Sequence, residues 1–333
     1  MKTNQKEIQK KIFNSIDNFM LFVLIFIYSY LFVYTIPWVD IIGHDFADLR
    51  NYLERIEYLR MGLPEREFSG ISILFSEYLW KYISILIGEF FDNHRAGLYL
   101  VSFTSLSLYS FFTFRRVNIL LAGILLLTPM FLDLILGQIR MSLAFPTLLM
   151  AYELREKKIS FFVLVVAVFI HTGTLIFIGT YFILKYIENR FEYKKLYKYA
   201  MFWAFTMVII MKYGIDIILT AVNSPKANYS SLIESSSISY SLPWFLIALV
   251  LIAKATYETS QERIIVAFSI TMMSFFLFAS IFGVYGQRYV AVSIPLIIIS
   301  ISYLPKHYKQ ATILALLLYQ FLQFKYWFNM TLV

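Results

Sequence analysis

The sequence predicts an all-α polytopic membrane protein of about eleven transmembrane helices, with one further amphipathic helix lying in the membrane interface. Three observations predict it. Hydrophobic residues make up 59% of the chain and charged residues 15%, against about 45–50% and 25% in soluble domains. Long apolar runs recur from residue 19 to residue 328, so residues 1–333 read as one integral membrane unit with no separate soluble domain. The basic residues between the runs fall in short clusters, as a positive-inside bias requires.

Taken in order, the candidate spans are 19–39, 70–91, 96–114, 117–136, 140–154, 159–170, 172–187, 199–220, 242–256, 264–283, 288–304 and 310–328. The first run is too long for a signal-peptide core and has no small-residue cleavage site, so it reads as a retained signal anchor. Lys2, Lys6, Lys10 and Lys11 before it place the N-terminus in the cytoplasm. If 70–91 crossed the membrane, simple alternation would put Arg115, Arg116, Lys157 and Lys158 outside. Within "ISILFSEYLWKYISILIGEF" Glu77, Lys81, Ser84 and Gly88 form one polar stripe, with Glu77 and Lys81 as an i,i+4 pair. An apolar face opposite such a stripe suits a helix lying flat. With 70–91 in the outer interface, "RR" at 115–116, "LREKK" at 154–158, the Lys185–Lys198 cluster and "PKHYK" at 305–309 all face the cytoplasm. Residues 40–95 then form an extracytoplasmic loop with interfacial helices, and 221–241 a second such loop.

The run 159–187 is uniformly apolar with basic residues near both ends. One straight helix of that length would measure about 43 Å, against a hydrocarbon core of ~30 Å. A hairpin turning at "HTGT", 171–174, satisfies both facts and leaves His171 at the outer tip. The net charge of +8 reads as positive-inside bias and affinity for anionic membrane lipid rather than for nucleic acid. The chain has no cysteine, so disulfide and thiolate chemistry are excluded. No nucleotide motif and no metal-ligand spacing is present, and no cofactor or metal is expected.

On this topology four features share the outer side: the loop 40–69, Arg140, His171 and Arg288. Arg140 interrupts "LDLILGQIRMSLAF", where Asp133 is the other charge. An arginine at a helix centre costs roughly 2.5–3.5 kcal/mol on insertion scales. Arg140 therefore belongs at the membrane edge with an anionic partner. Most charges of the loop "GHDFADLRNYLERIEYLRMGLPEREF" read as the solvated face of an amphipathic helix. Asp45 and Asp48 follow the first span directly, where a carboxylate can accept a proton from a sugar hydroxyl on a lipid-linked substrate. Arg288 in "GVYGQRYVAV" lies at an outer turn after Gly283 and Gly286. A guanidinium fork matches phosphate oxygens, so two arginines on one face suggest a diphosphate site.

These pieces resemble a family. "GQIRMSLAF…LREKK…FIHTGTLIFI" is similar to the signature of the Wzy-type polysaccharide polymerases, in their EpsG-like branch. Arg140 and Ala144 match the first part, and His171 with Thr172 the second. Asp48, Asn51 and Tyr52 in "DLRNY" resemble an early "D-x-x-N-Y", and Arg288 with Tyr289 a late "R-[FY]". Met141 departs from the usual Gln, and "GHDFAD" from a glycine-rich lead, which leaves Asp45 and Asp48 both open as the functional carboxylate.

The resemblance implies a glycosyltransferase of the bacterial inner membrane, laid out like lipid-linked-donor (GT-C-like) glycosyltransferases. Its active site would face the outside and join O-antigen or capsule repeat units carried on undecaprenyl diphosphate. Arg140, His171 and Asp48 are its catalytic candidates. Arg288, Asp45, Asn51, Tyr52, Tyr289 and Gln138 are candidates for binding the donor and acceptor lipid-linked oligosaccharides. A chain-length regulator is a further partner to consider. The alternatives are a flippase for the same lipid-linked unit, which would also need cations against a diphosphate, and a ligase or other transferase using a lipid-linked donor.

Overall fold

The computed structural model describes residues 18–62, 77–191, 193–214, 217, 220 and 236–330. Among these, every regular element is a helix. The N-terminal lysines, residues 70–76 and most of the loop 221–241 lie outside the described residues.

Helix Asn18–Thr35 leads through the short helix Trp38–Ile42 to Gly43, in the left-handed region at φ 74°. The chain then runs through helices Ala47–Arg60, Tyr78–Phe90 and His94–Phe114. Asn93 caps the last of these by accepting from the Arg95 amide at 3.1 Å. Next come Ile119–Leu125 and Pro129–Leu136, bent by 80° at a break that Thr128 and Pro129 create. A threonine cap followed by proline at the first helical position is a strong helix start. Ile139–Glu153, Ile159–Ile170, Thr174–Arg190 and Tyr193–Ile209 follow. Helices Ile238–Lys254, Ser260–Phe282, Gln287–Ser302 and Lys306–Met330 complete the described chain. Ser260–Phe282 is launched by a Thr259–Glu262 capping box and stopped by Gly283 at φ 71°.

The core forms around helix 260–282, which packs on helices 174–190, 193–209, 238–254 and 287–302. A second group joins 94–114 to 139–153 and 139–153 to 159–170, while 47–60 packs on 78–90. The outer surface carries Phe19, Phe22, Phe26, Leu314, Leu318 and Phe321, all exposed. Such a surface belongs in lipid, and the protein is a membrane-embedded helical protein.

The expectation of about eleven spans is not met. By length and composition, three described helices can cross a membrane: Asn18–Thr35, His94–Phe114 and Ser260–Phe282. Counting the bent pair 119–125 and 129–136 as one span makes up to four. The physical reason is that apolarity reports burial in protein as readily as contact with lipid. Of the most apolar window of 260–282, 83% is buried inside the protein, against 22% for 18–35. Helix 139–153 has 15 residues, about 22 Å of rise, short of the ~30 Å hydrocarbon core. Helix 78–90, in the predicted interfacial segment 70–91, has 13 residues and is likewise too short to cross. The apolar run 159–187 breaks at 171–173 as expected. Its two arms then take different partners, 139–153 for the first and 260–282 for the second.

The helix ends sort the charges. Helix 139–153 has Arg140 in its first turn and Glu153 at its last. Glu153 pairs with Arg116 beyond the C-terminus of 94–114. Glu188, near the end of 174–190, accepts from Arg263 at 2.9 Å, in the first turn of 260–282. Arg116, Glu153, Lys185, Glu188 and Arg263 thus mark one end of the bundle, and Arg140, His171 and Arg288 lie at the other.

Candidate functional site

The site is assembled from the starts of three helices and the face of a fourth. Arg140 and Arg288 are each the second residue of their helices, 139–153 and 287–302. His171 and Thr172 directly precede helix 174–190. Helix amino-termini carry partial positive charge, so each of these positions favours an anion. Two carboxylates supply it within the chain.

The first is Glu77. It is 2% exposed and sits in the left-handed region at φ 52°, the one non-glycine residue to do so among the described residues. Its carboxylate accepts from Arg140 Nη1 through Oε2. Oε1 accepts from His171 Nδ1 at 2.7 Å and from the Thr172 hydroxyl at 3.3 Å. An ionised carboxylate can only accept, so Nδ1 carries a proton, and in the neutral ring Nε2 holds the lone pair. A Cβ on Gly173 would lie 2.7 Å from that Nε2, so the glycine leaves room for the ring.

Close packing holds Glu77 in place. Helix 78–90 buries Trp80, Ser84 and Ile87. A Cβ on Gly97 would lie 2.6 Å from Ile87 Cγ2, and one on Gly88 3.2 Å from Ile56 Cγ2. The two glycines let helix 78–90 sit close against both 94–114 and 47–60.

The second carboxylate is Asp48, which accepts from Arg288 Nη2 at 2.6 Å. One turn further along the same helix, Tyr52 lies under Arg140. Its hydroxyl is 3.5 Å from Arg140 Nε and its ring 5.5 Å from the guanidinium carbon. Asp48 and Tyr52, four residues apart, thus tie the two arginines to one helix face. Burial pushes the Tyr52 phenol above its ordinary range and the neighbouring Arg140 pulls it back, with a net rise. Tyr52 is therefore a neutral hydroxyl at physiological pH.

The remaining sequence candidates divide. Asp45 is engaged by Arg95 at an exposed edge of the site. Asn51 is exposed on helix 47–60. Tyr289 packs its ring against Phe275 at 4.9 Å and Phe177 at 5.5 Å. Gln138 is buried and donates to Asp133 Oδ2 at 2.8 Å, bracing the junction between helices 129–136 and 139–153. Among the described residues, His, Asp and Glu form no group of three that could hold a metal ion.

Sequence reasoning missed Glu77 as a site residue. It was assigned to the polar stripe of an interfacial helix, whereas the helix starts at Tyr78 and Glu77 turns inward. The available signal was the one that marked Arg140: a carboxylate stranded in an apolar run needs a cation.

Fold and site define a membrane-embedded helical protein whose two arginines stand at helix starts against two carboxylates and a histidine. The chain belongs to the EpsG family, whose family model matches residues 20–332. That family is associated with polysaccharide polymerase-like proteins, which makes this a membrane protein of polysaccharide synthesis. Neither the comparison with curated proteins nor that with solved structures gives a match.

Proposed function

We propose that the protein is a glycosyltransferase that polymerises repeat units carried on undecaprenyl diphosphate, at the outer face of the bacterial inner membrane. The observation that carries this reading is the pair of arginines at helix starts, joined through Asp48 and Tyr52 on one helix face. Cations at positive helix ends gain most from a multiply charged anion such as a diphosphate.

In the proposed reaction an acceptor hydroxyl oxygen attacks the anomeric carbon of the donor glycan. The bond from that carbon to the diphosphate oxygen breaks, and undecaprenyl diphosphate leaves with the bonding electrons. Arg140 and Arg288 stabilise the charge that grows on the leaving group. The Arg140 side chain is 26% exposed. Glu77 and Tyr52 engage only part of its five-donor fork, so a ligand can reach it. The hydroxyl proton goes to Nε2 of the neutral His171 ring, which Glu77 orients through Nδ1. Asp48 is the less suited base, since Arg288 already holds it.

The test is a surface-polysaccharide gel from a strain lacking the gene, complemented with variants. The reading expects the long ladder to collapse to a single repeat unit on its anchor. Arg140→Ala and Arg140→Lys should reproduce that collapse with unchanged protein in the membrane. A ladder of normal length from Arg140→Ala overturns the assignment. Loss of all repeat units from the surface moves the protein to export or to an earlier transfer.

A further inference from the structure

A second site lies in the half of the bundle away from the charged cluster. Helices 139–153, 159–170, 174–190 and 260–282 enclose a cavity of about 350 Å³. Its lining is apolar apart from a few groups, among them Tyr152, Arg155 and Ser160 towards one end. Phe145, Phe177 and Phe268 line the end nearer Arg140. Their ring centroids lie 4.8 to 6.3 Å apart, and all three side chains are buried. Apolar cavities of even ~150 Å³ stay dry and take up hydrocarbon.

The opposite end is basic. Arg155, Lys157 and Lys158 are exposed in the turn after helix 139–153, with Glu156 as the acid among them. Arg155 donates to the Tyr152 carbonyl at 3.0 Å, and its guanidinium lies over the Tyr152 ring at 4.8 Å. The neighbouring Glu153 is engaged by Arg116. Phe182, also in the lining, is 59% exposed on the bundle surface. The cavity therefore reaches the lipid-facing side of the protein.

We propose that this cavity binds one anionic phospholipid. One acyl chain fills the space between the four helices, and the phosphodiester rests on Arg155 with Lys157 and Lys158. Charge complementarity selects this occupant, because basic pockets between membrane helices take anionic headgroups. The three phenylalanines argue against a lipid tail descending from Arg140, since they stand between that cluster and the cavity. The site is independent of the transfer reaction proposed above.

The test is native mass spectrometry of the full-length protein, delipidated and then titrated with phosphatidylglycerol or with phosphatidylcholine of the same chains. One phosphatidylglycerol should be retained, and phosphatidylcholine should not. Arg155→Gln removes one headgroup charge from an exposed turn and should weaken retention roughly fivefold. Leu164→Trp fills the cavity and should abolish retention. Ile178→Trp does the same from the facing wall if the first variant does not fold. Equal retention of the two lipids, native retention in Arg155→Gln, or native retention in a folded tryptophan variant overturns the proposal. Displacement of phosphatidylglycerol by a polyprenyl phosphate also overturns it.

Discussion

Removing the charge of Glu77 tests the core of the site. Glu77→Gln keeps the side-chain shape and deletes the carboxylate that Arg140 and His171 share. A hydrogen bond to a charged group contributes about 1.5–3 kcal/mol. Glu77 is almost wholly buried and Arg140 is 26% exposed, so partial solvation of the cation puts the pair near the lower end, about 1.5–2 kcal/mol. The Tyr52 contact at 3.5 Å adds little, being at the limit of hydrogen-bond length. The assay is a double-mutant cycle of Glu77→Gln and Arg140→Gln, read by equilibrium unfolding in mixed micelles. The coupling should fall in that range, and the double variant should be more stable than the sum of the two single losses implies. Additivity within ~0.5 kcal/mol would mean that the two residues do not share an interaction, and it would refute the argument. Backbone strain provides a second reading of the same position. Glu77 sits at φ 52°, which costs an ordinary residue roughly 1–2 kcal/mol. Glu77→Gly should therefore be more stable than Glu77→Ala, by about 1 kcal/mol.

Three further outcomes follow from the same geometry. Gly173→Ala places a methyl 2.7 Å from His171 Nε2. The ring should swing off Glu77, so polymer formation should fall by about a hundredfold and stability by about 1.5–3 kcal/mol, the value of the lost hydrogen bond to the carboxylate. Gly97→Val drives a branched side chain into Ile87. Overpacking of this kind costs about 1–3 kcal/mol, and both stability and polymer length should drop. Asp48→Asn leaves Arg288 without its carboxylate, whereas Asp45→Asn releases only the exposed Arg95. The gel should show shortened polymer for the first variant and a normal ladder for the second.

What the sequence makes legible follows from how each residue stands out. Arg140, His171 and Arg288 are polar groups in apolar runs, and that contrast survives without coordinates. The break at 171–173 is readable because a helix over 159–187 would outrun the membrane. Glu77 was hidden by a neighbour at helical spacing: with Lys81 four residues on, it resembles half of a surface pair. Its left-handed backbone conformation, which turns it inward, leaves no mark in the sequence. Asp45 and Asp48 are three residues apart and equivalent by composition, and only tertiary pairing separates them, Arg95 for one and Arg288 for the other. The count of spans failed for a different reason. Segments such as 139–153 and 287–302 are apolar because other helices cover them, and hydropathy has no means of telling a neighbouring helix from lipid.

The pairing of Arg140 with Glu77 also bears on why a costly arginine is kept here. Pairing two charges out of water rarely stabilises a fold more than apolar residues of the same size would. A leucine or methionine at 140 with an apolar residue at 77 would pack the same space without burying a charge. Stability is thus a poor account of the pair. Position is a better one. Glu77 links the start of helix 139–153 to the segment before helix 174–190. Tyr52 and Asp48 then link both to the start of helix 287–302 through helix 47–60. Five separate segments, the one carrying Glu77 included, are held in register by polar contacts at the helix starts, where an anionic ligand would meet both guanidinium groups. The strain at Glu77 and the desolvation of Arg140 are offset elsewhere in the bundle, by the apolar packing around helices 260–282 and 287–302.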